Sequence, residues 1–183
     1  MTDVVRLTLV AHAMTDAMAA GRFPADEPLN GIGRRQVKKA GRLDLQDGTR
    51  QLCGPEQRAR ETAQLLGLRA ATEPRLADLD CGGWCGQTLR AVGPADLETW
   101  LTDPARAPHG GESIVDLMQR VAGWLDSLAD DTAPAVAVTH PAVIRAAILH
   151  SLDAPPKSFW RIDIAPASRT VLYFRNGRWT LRL

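Results

Sequence analysis

Two imidazoles and one guanidinium stand out for where they fall in the chain. His12 ends the stretch "RLTLVAHAMT", a β-branched and Leu-rich run that reads as a buried strand yet stops on a histidine between two alanines. His140 follows "AVAVT" and precedes "PAVIRAAILHSL", and Arg58 lies in the first turn of "PEQRARETAQLLG". Each therefore sits just beyond a strand, or in the opening turn of a helix that follows one. In open α/β sheets ligands bind at the carboxyl ends of the strands, where helix N-termini turn free N–H groups toward anions. Two imidazoles and a guanidinium meeting there make a site for a phosphate-sized anion. His109, in a Pro/Gly loop, and His150, late in a helix, read as structural.

The elements that must position these residues follow from periodicity and punctuation. Strands are expected at residues 4–10, 50–53, 135–139, 160–164, 170–174 and 178–183. Helices are expected at residues 33–43, 55–67, 112–129 and 141–152. Pro55 and Pro141 open two of them, where the first turn tolerates proline, and Gly67 closes one. In the third, Ile114, Leu117, Val121, Trp124, Leu125 and Leu128 recur at helical spacing, and Ser113 with Asp116 forms a capping-box pattern. Strands alternating with helices predict an α/β sheet, parallel for the most part. The Asn176-Gly177 turn in "TVLYFRNGRWTLRL" adds antiparallel strands at one edge.

Bulk properties narrow the function classes. The 183 residues fit one domain with a sizeable core, and 45% apolar with 23% charged residues is an ordinary globular balance. A net charge of +1 without a Lys/Arg cluster points away from nucleic acid and from membrane surfaces. No apolar run nears the ~20 residues that span a bilayer, and "MTDVVRL" lacks the basic-then-apolar pattern of a secretion signal. Cys53, Cys81 and Cys85 lack zinc or CxxC spacing. They are expected to be ordinary small residues in a reducing cytoplasm rather than a Cys81–Cys85 redox pair.

Six segments in sequence order resemble the histidine phosphatase superfamily, the phosphoglycerate mutase-like branch 1. "LTLVAHAMT" stands where that family has "LVRHGET", and "GRFPADEPLNGIGRRQ" resembles "GR…D.PLT..G..QA". "CGPEQRARETA" is similar to "SSPL.RA..TA", and "LADLDCGGWCGQT" to "L.E.DFG.WEG.T". "PHGGES" matches "P.GGES", and "VAVTHPAVIRAAI" matches "VLVVSHGGVIRAL". The resemblance implies a single domain over residues 1–183, a three-layer sandwich with helices on both faces of the sheet. It also implies roles. His12 would attack phosphorus and form a phosphohistidine. Arg58 would hold two phosphate oxygens with its planar fork, and a protonated His140 would add positive charge. Asp78, with Asp80 as the neighbouring alternative, would protonate the leaving oxygen and then activate water. Thr15 and Glu112 are lesser candidates, Glu112 at the pocket rim. No cofactor and no metal are required, and the expected ligand is a small phosphorylated molecule or inorganic phosphate. The oligomeric state stays open, a dimer included.

The match breaks next to the nucleophile. Ala11 and Ala13 flank His12 where the family reads Arg and Gly, Met18 replaces an Asn of many relatives, Pro141 replaces a Gly, and Cys85 replaces the Glu of "WEG". A donor aimed at the transition state is worth ~10²–10³ in rate, so Ala11 predicts a weakened enzyme unless Arg6, Arg22 or Arg145 moves in. Two expectations result. One is a phosphatase of reduced activity acting on a small phosphorylated metabolite; the short span between Asp78 and His140 leaves an open pocket that favours hydrolysis over mutase chemistry. The other is a degenerate relative that binds an anion or partner without turnover.

Overall fold

The computed structural model describes residues 4–183. The reading of "MTDVVRL" as lacking a secretion signal falls in part on residues 1–3, outside the described residues.

Six strands form one sheet: β1 (Val5–Ala11), β2 (Arg50–Cys53), β3 (Ala71–Thr72), β4 (Ala135–Thr139), β5 (Arg169–Arg175) and β6 (Arg178–Arg182). Their spatial order is β3-β2-β4-β1-β5-β6. The β3, β2, β4 and β1 strands run parallel, whereas β5 pairs antiparallel with β1 and β6 with β5. The helices are α1 (Asp16–Ala19), α2 (Gly31–Ala40), α3 (Gln57–Leu65), α4 (Pro94–Thr102), α5 (Ile114–Ala129) and α6 (Pro141–Ser151).

Strand alternation divides the apolar side chains between two layers. Leu7, Leu9, Ala11, Ala135 and Ala137 turn to one face and pack with Leu117, Val121, Trp124 and Leu125 of α5 and Ile144, Ala147 and Ile148 of α6. Val10, Val136 and Val138 turn to the other, against Val37 of α2 and Ala59 and Ala63 of α3. All five residues of β4 are buried, as a central strand covered on both faces requires. The helix–sheet–helix sandwich follows from this two-sided burial.

Helix boundaries carry the signals expected of them. Ser113 caps α5, accepting from the Asp116 N–H while the Asp116 side chain accepts from Ser113 N–H. Asn30 caps α2 through Gly33 N–H. Gly33 has a second constraint: a Cβ there would lie 2.2 Å from the Met14 carbonyl oxygen, so α2 approaches the loop after β1 only because that residue has no side chain.

One expected strand is absent. Residues 160–164 are not in the sheet; Pro156–Arg161 form a 3-10 helix whose N-terminal proline cannot donate a ladder hydrogen bond. Its aromatic residues cover the α5–α6 layer instead, with Phe159 1% exposed. The β3 strand, two residues long, and α4 had no reading in advance. The three cysteines are free, Cys53 and Cys81 buried and Cys85 exposed.

Candidate active site

Parallel register brings the two histidines together. Ala11 of β1 lies opposite Thr139 of β4, and the chain's next residue on each strand is a histidine. His12 N–H donates to the Thr139 carbonyl at 2.8 Å, closing the ladder one residue past the strand. The two imidazoles stand edge to face, with ring centroids 5.1 Å apart. His12 is 3% exposed and His140 is fully buried.

The hydrogen bonds fix what each ring nitrogen can do. His12 Nδ1 lies 2.8 Å from the Ala13 carbonyl oxygen, so that nitrogen carries the proton and Nε2 keeps its lone pair. Burial, helped by His140 and Arg58, pushes the His12 imidazole down to about 3, leaving it neutral at ordinary pH. On His140, Nε2 lies 2.6 Å from Glu56 Oε2. Its Nδ1 lies 3.4 Å from Asp78 Oδ2 and has no hydrogen-bond partner among the described residues.

Arg58 and Asp78 complete the cluster from two other segments. Arg58, in the first turn of α3, is 2% exposed. Its Nη1 donates to the Ala25 carbonyl at 2.6 Å and its Nη2 to Asp78 Oδ2 at 2.7 Å, while Nε is buried without a hydrogen-bond partner among the described residues. Asp78 follows a 3-10 turn, Pro74–Leu76, that Thr139 pins to the end of β4 by donating its hydroxyl to the Leu76 carbonyl at 2.8 Å. Burial alone would raise the Asp78 carboxyl, but His140, Arg58 and His12 outweigh it and hold it at about 2. The resting carboxyl is therefore ionised.

His12, Arg58 and Asp78 line a cavity of about 170 Å³ whose remaining wall is mostly apolar, Met18, Phe23, Leu79, Trp100 and Ala142 among it; His140 is buried behind this lining. Arg22 and Arg145 also line it, whereas Arg6 lies in a separate depression beside Arg169. Arg145 is anchored, its Nε donating to the Ile162 carbonyl at 2.7 Å and its guanidinium 5.6 Å from the centre of the Phe159 ring. Ala11 is fully buried in the apolar layer. Ala13 N–H is taken by Thr62 Oγ1 at 3.2 Å.

Other residues singled out in the sequence lie apart from this cavity. Thr15 caps α1, accepting from Met18 N–H and donating to Glu27. Glu112 is held by Arg120 at 2.7 and 2.8 Å, beside a shallower depression that it shares with Asp80. His109 accepts from Gly111 N–H and packs on Trp84. Glu56 went unread in the sequence, although it is the residue that touches His140 most closely. Its signal was a carboxylate at the apolar position of "SSPL.RA..TA". Glu27, 3.9 Å from Arg58, was likewise unread.

One ligand atom each from His12, Asp78 and His140 lie within 4.8 Å of one another, a spacing that a metal ion could bridge. The fixed guanidinium on the Asp78 carboxylate opposes that use. A cation would have to displace Arg58, whereas an anion would meet it as a partner.

The comparisons with known proteins agree with this architecture. A bifunctional protein of Mycobacterium tuberculosis is 30% identical over 192 residues, which cover 97% of this chain and 53% of that protein. The chain thus spans about half the length of the first curated relatives it matches. Phosphoserine phosphatase 1 of Hydrogenobacter thermophilus is 28% identical, covering 96% of this chain and 89% of that one. Among solved structures, a mycobacterial glucosyl-3-phosphoglycerate phosphatase complexed with VO3 superposes with a TM-score of 0.82. It is 27% identical and 98% of each chain is covered. The model of the histidine phosphatase superfamily (branch 1) matches residues 7–183, and the chain belongs to that family.

Proposed function

We propose that this protein is a phosphomonoesterase that passes the phosphoryl group of a small phosphorylated metabolite through His12 to water. The observation that carries this reading is a pair of buried nitrogens, Arg58 Nε and His140 Nδ1, without hydrogen-bond partners among the described residues, on side chains that meet at Asp78 in the cluster around His12. Leaving a buried donor unmet costs ~1–3 kcal/mol, a deficit that favours a ligand as rich in acceptor oxygens as phosphate. The two protein cores share one sheet, which supports reading the whole length as one domain.

The steps follow from the resting charges. A phosphoryl dianion draws Arg58 and His140 away from Asp78 and brings a like charge beside it; both changes raise the proton affinity of that carboxyl. Asp78 then takes up a proton. His12 Nε2 forms a bond to phosphorus as the ester P–O bond breaks, and Asp78 gives its proton to the departing oxygen. In the second half Asp78, ionised again, accepts a proton from the water that attacks the phosphohistidine. Inorganic phosphate leaves and neutral His12 returns. The apolar wall of Phe23 and Trp100 favours leaving groups with an apolar face.

Turnover is expected to be slow. The Ala11 methyl offers no donor, Ala13 N–H is occupied and Pro141 has none, so the grip rests on Arg58 and His140, with Arg22 and Arg145 at the wall. These same departures favour the second reading, an anion binder without turnover. The two separate on p-nitrophenyl phosphate hydrolysis from pH 5 to 8, with His12→Ala alongside. Phosphatase action predicts release by the natural protein at least ~10²-fold above the variant. Equal rates would leave only the binding reading.

A further inference from the structure

We infer that Glu56 is the positioning residue of His140: its carboxylate accepts from Nε2–H and fixes how the ring is turned, so that Nδ1, which faces Asp78, is the nitrogen presented to the phosphoryl group. The inference rests on the reading of the cavity as a phosphoryl site, but its physical content is a hydrogen bond that exists with or without turnover.

Four observations converge on it. The Glu56 Oε2 to His140 Nε2 distance is 2.6 Å, among the shortest side-chain contacts in the protein. The other carboxylate oxygen, Oε1, accepts from Asp78 N–H at 2.9 Å, so one side chain sets both the imidazole and the segment that carries the acid. Glu56 occupies the N-cap position of α3 yet makes no side-chain cap there, its carboxylate being turned to His140 instead. Finally, Gly54 leaves the room for this pair: a Cβ at that position would stand 3.0 Å from His140 Nε2 and 3.1 Å from Glu56 Oε2.

The surroundings of His140 leave Glu56 as the group that acts on Nε2. His12 faces the ring from β1 at a centroid distance of 5.1 Å, and Asp78 faces Nδ1 from its loop. Arg58, from α3, reaches Asp78 rather than the imidazole. Burial would raise the Glu56 carboxyl, but its bonds to His140 and to Asp78 N–H hold it below the usual carboxylate range, so it is ionised. A carboxylate on the far nitrogen fixes Nε2 as proton-bearing and sets how the ring is turned, and the Asp78 carboxylate 3.4 Å from Nδ1 favours a proton on that nitrogen as well. With Ala11 in place of an arginine, this is the arrangement by which the chain keeps a directed donor at the end of β4.

The test uses the full chain without substrate. Side-chain proton–nitrogen spectra should contain a low-field His140 Nε2–H resonance. Glu56→Gln, the same shape without the charge, should move it upfield, and Glu56→Leu should abolish it. Calorimetric titration with inorganic phosphate should lose about 10- to 100-fold in affinity in Glu56→Leu, with Glu56→Gln between the two. An unchanged resonance in Glu56→Gln overturns the inference even if Glu56→Leu does not fold, as does a folded Glu56→Leu that binds phosphate like the natural protein. Absence of turnover in the natural protein would overturn the phosphatase reading alone, since the resonance still judges Glu56. Normal turnover together with an unmoved resonance would overturn the inference alone.

Discussion

At the scale of single residues the account turns on two side chains whose charge states differ from their solution habits. His12 is neutral because it is buried beside His140 and Arg58, and its proton sits on Nδ1 because the Ala13 carbonyl accepts it. Asp78 is ionised at rest, so in the proposed reaction it gains its proton when substrate binds. That makes the acid step sensitive to the leaving group. Asp78→Asn should slow hydrolysis of an alkyl phosphate ~10²–10⁴-fold. It should slow p-nitrophenyl phosphate much less, because nitrophenolate departs without a proton. Comparing kcat/KM for the two substrates in both proteins checks this; equal losses would assign Asp78 a role other than protonating the leaving oxygen. The positions of His12, Arg58 and His140 beyond strand ends were legible in the sequence because they depend on local patterns. Glu56 was not: the carboxylate at an apolar position of its motif marks a departure, but its partner lies 84 positions away and no local pattern names it.

Among the elements, those with strong periodicity or explicit caps were the legible ones. The α5 helix appeared with its apolar stripe and capping box as its spacing predicts. Ser113→Ala should cost ~1 kcal/mol by removing one cap bond, read as a lowered unfolding midpoint in urea with an unchanged slope. No change in midpoint would show that the Asp116 side chain or solvent satisfies the same N–H groups. Residues 160–164 misled because a short aromatic and β-branched run fits a strand and a buried turn equally well. Packing against α5 and α6 decided between them, and Pro156 set the 3-10 start. The β3 strand, exposed and two residues long, is defined by its pairing with β2 rather than by any pattern of its own.

For the whole molecule, the same perturbed groups that the proposed reaction uses make the fold sensitive to acid. The folded value of His12 lies near 3 against 6.5 unperturbed. Its contribution is therefore complete above about pH 6.5 and is lost as pH falls toward 3, at ~1.4 kcal/mol per unit. Asp78, near 2 against 3.8, contributes above pH 3.8 and loses that contribution as pH falls through 2. The thermal midpoint should drop steadily between pH 6.5 and 3, and His12→Gln should flatten that slope; parallel curves would mean His12 protonates freely in the folded state. The fold and the proposed chemistry depend on one event, the meeting of segments around residues 12, 58, 78 and 140 at the carboxyl end of the sheet. Rapid-quench mass spectrometry of the protein mixed with p-nitrophenyl phosphate examines that meeting of segments at its reacting atom. A transient phosphoryl adduct on His12, stable in base and lost in acid, is the expected result. Turnover with no adduct, or an adduct on any other residue, would contradict it.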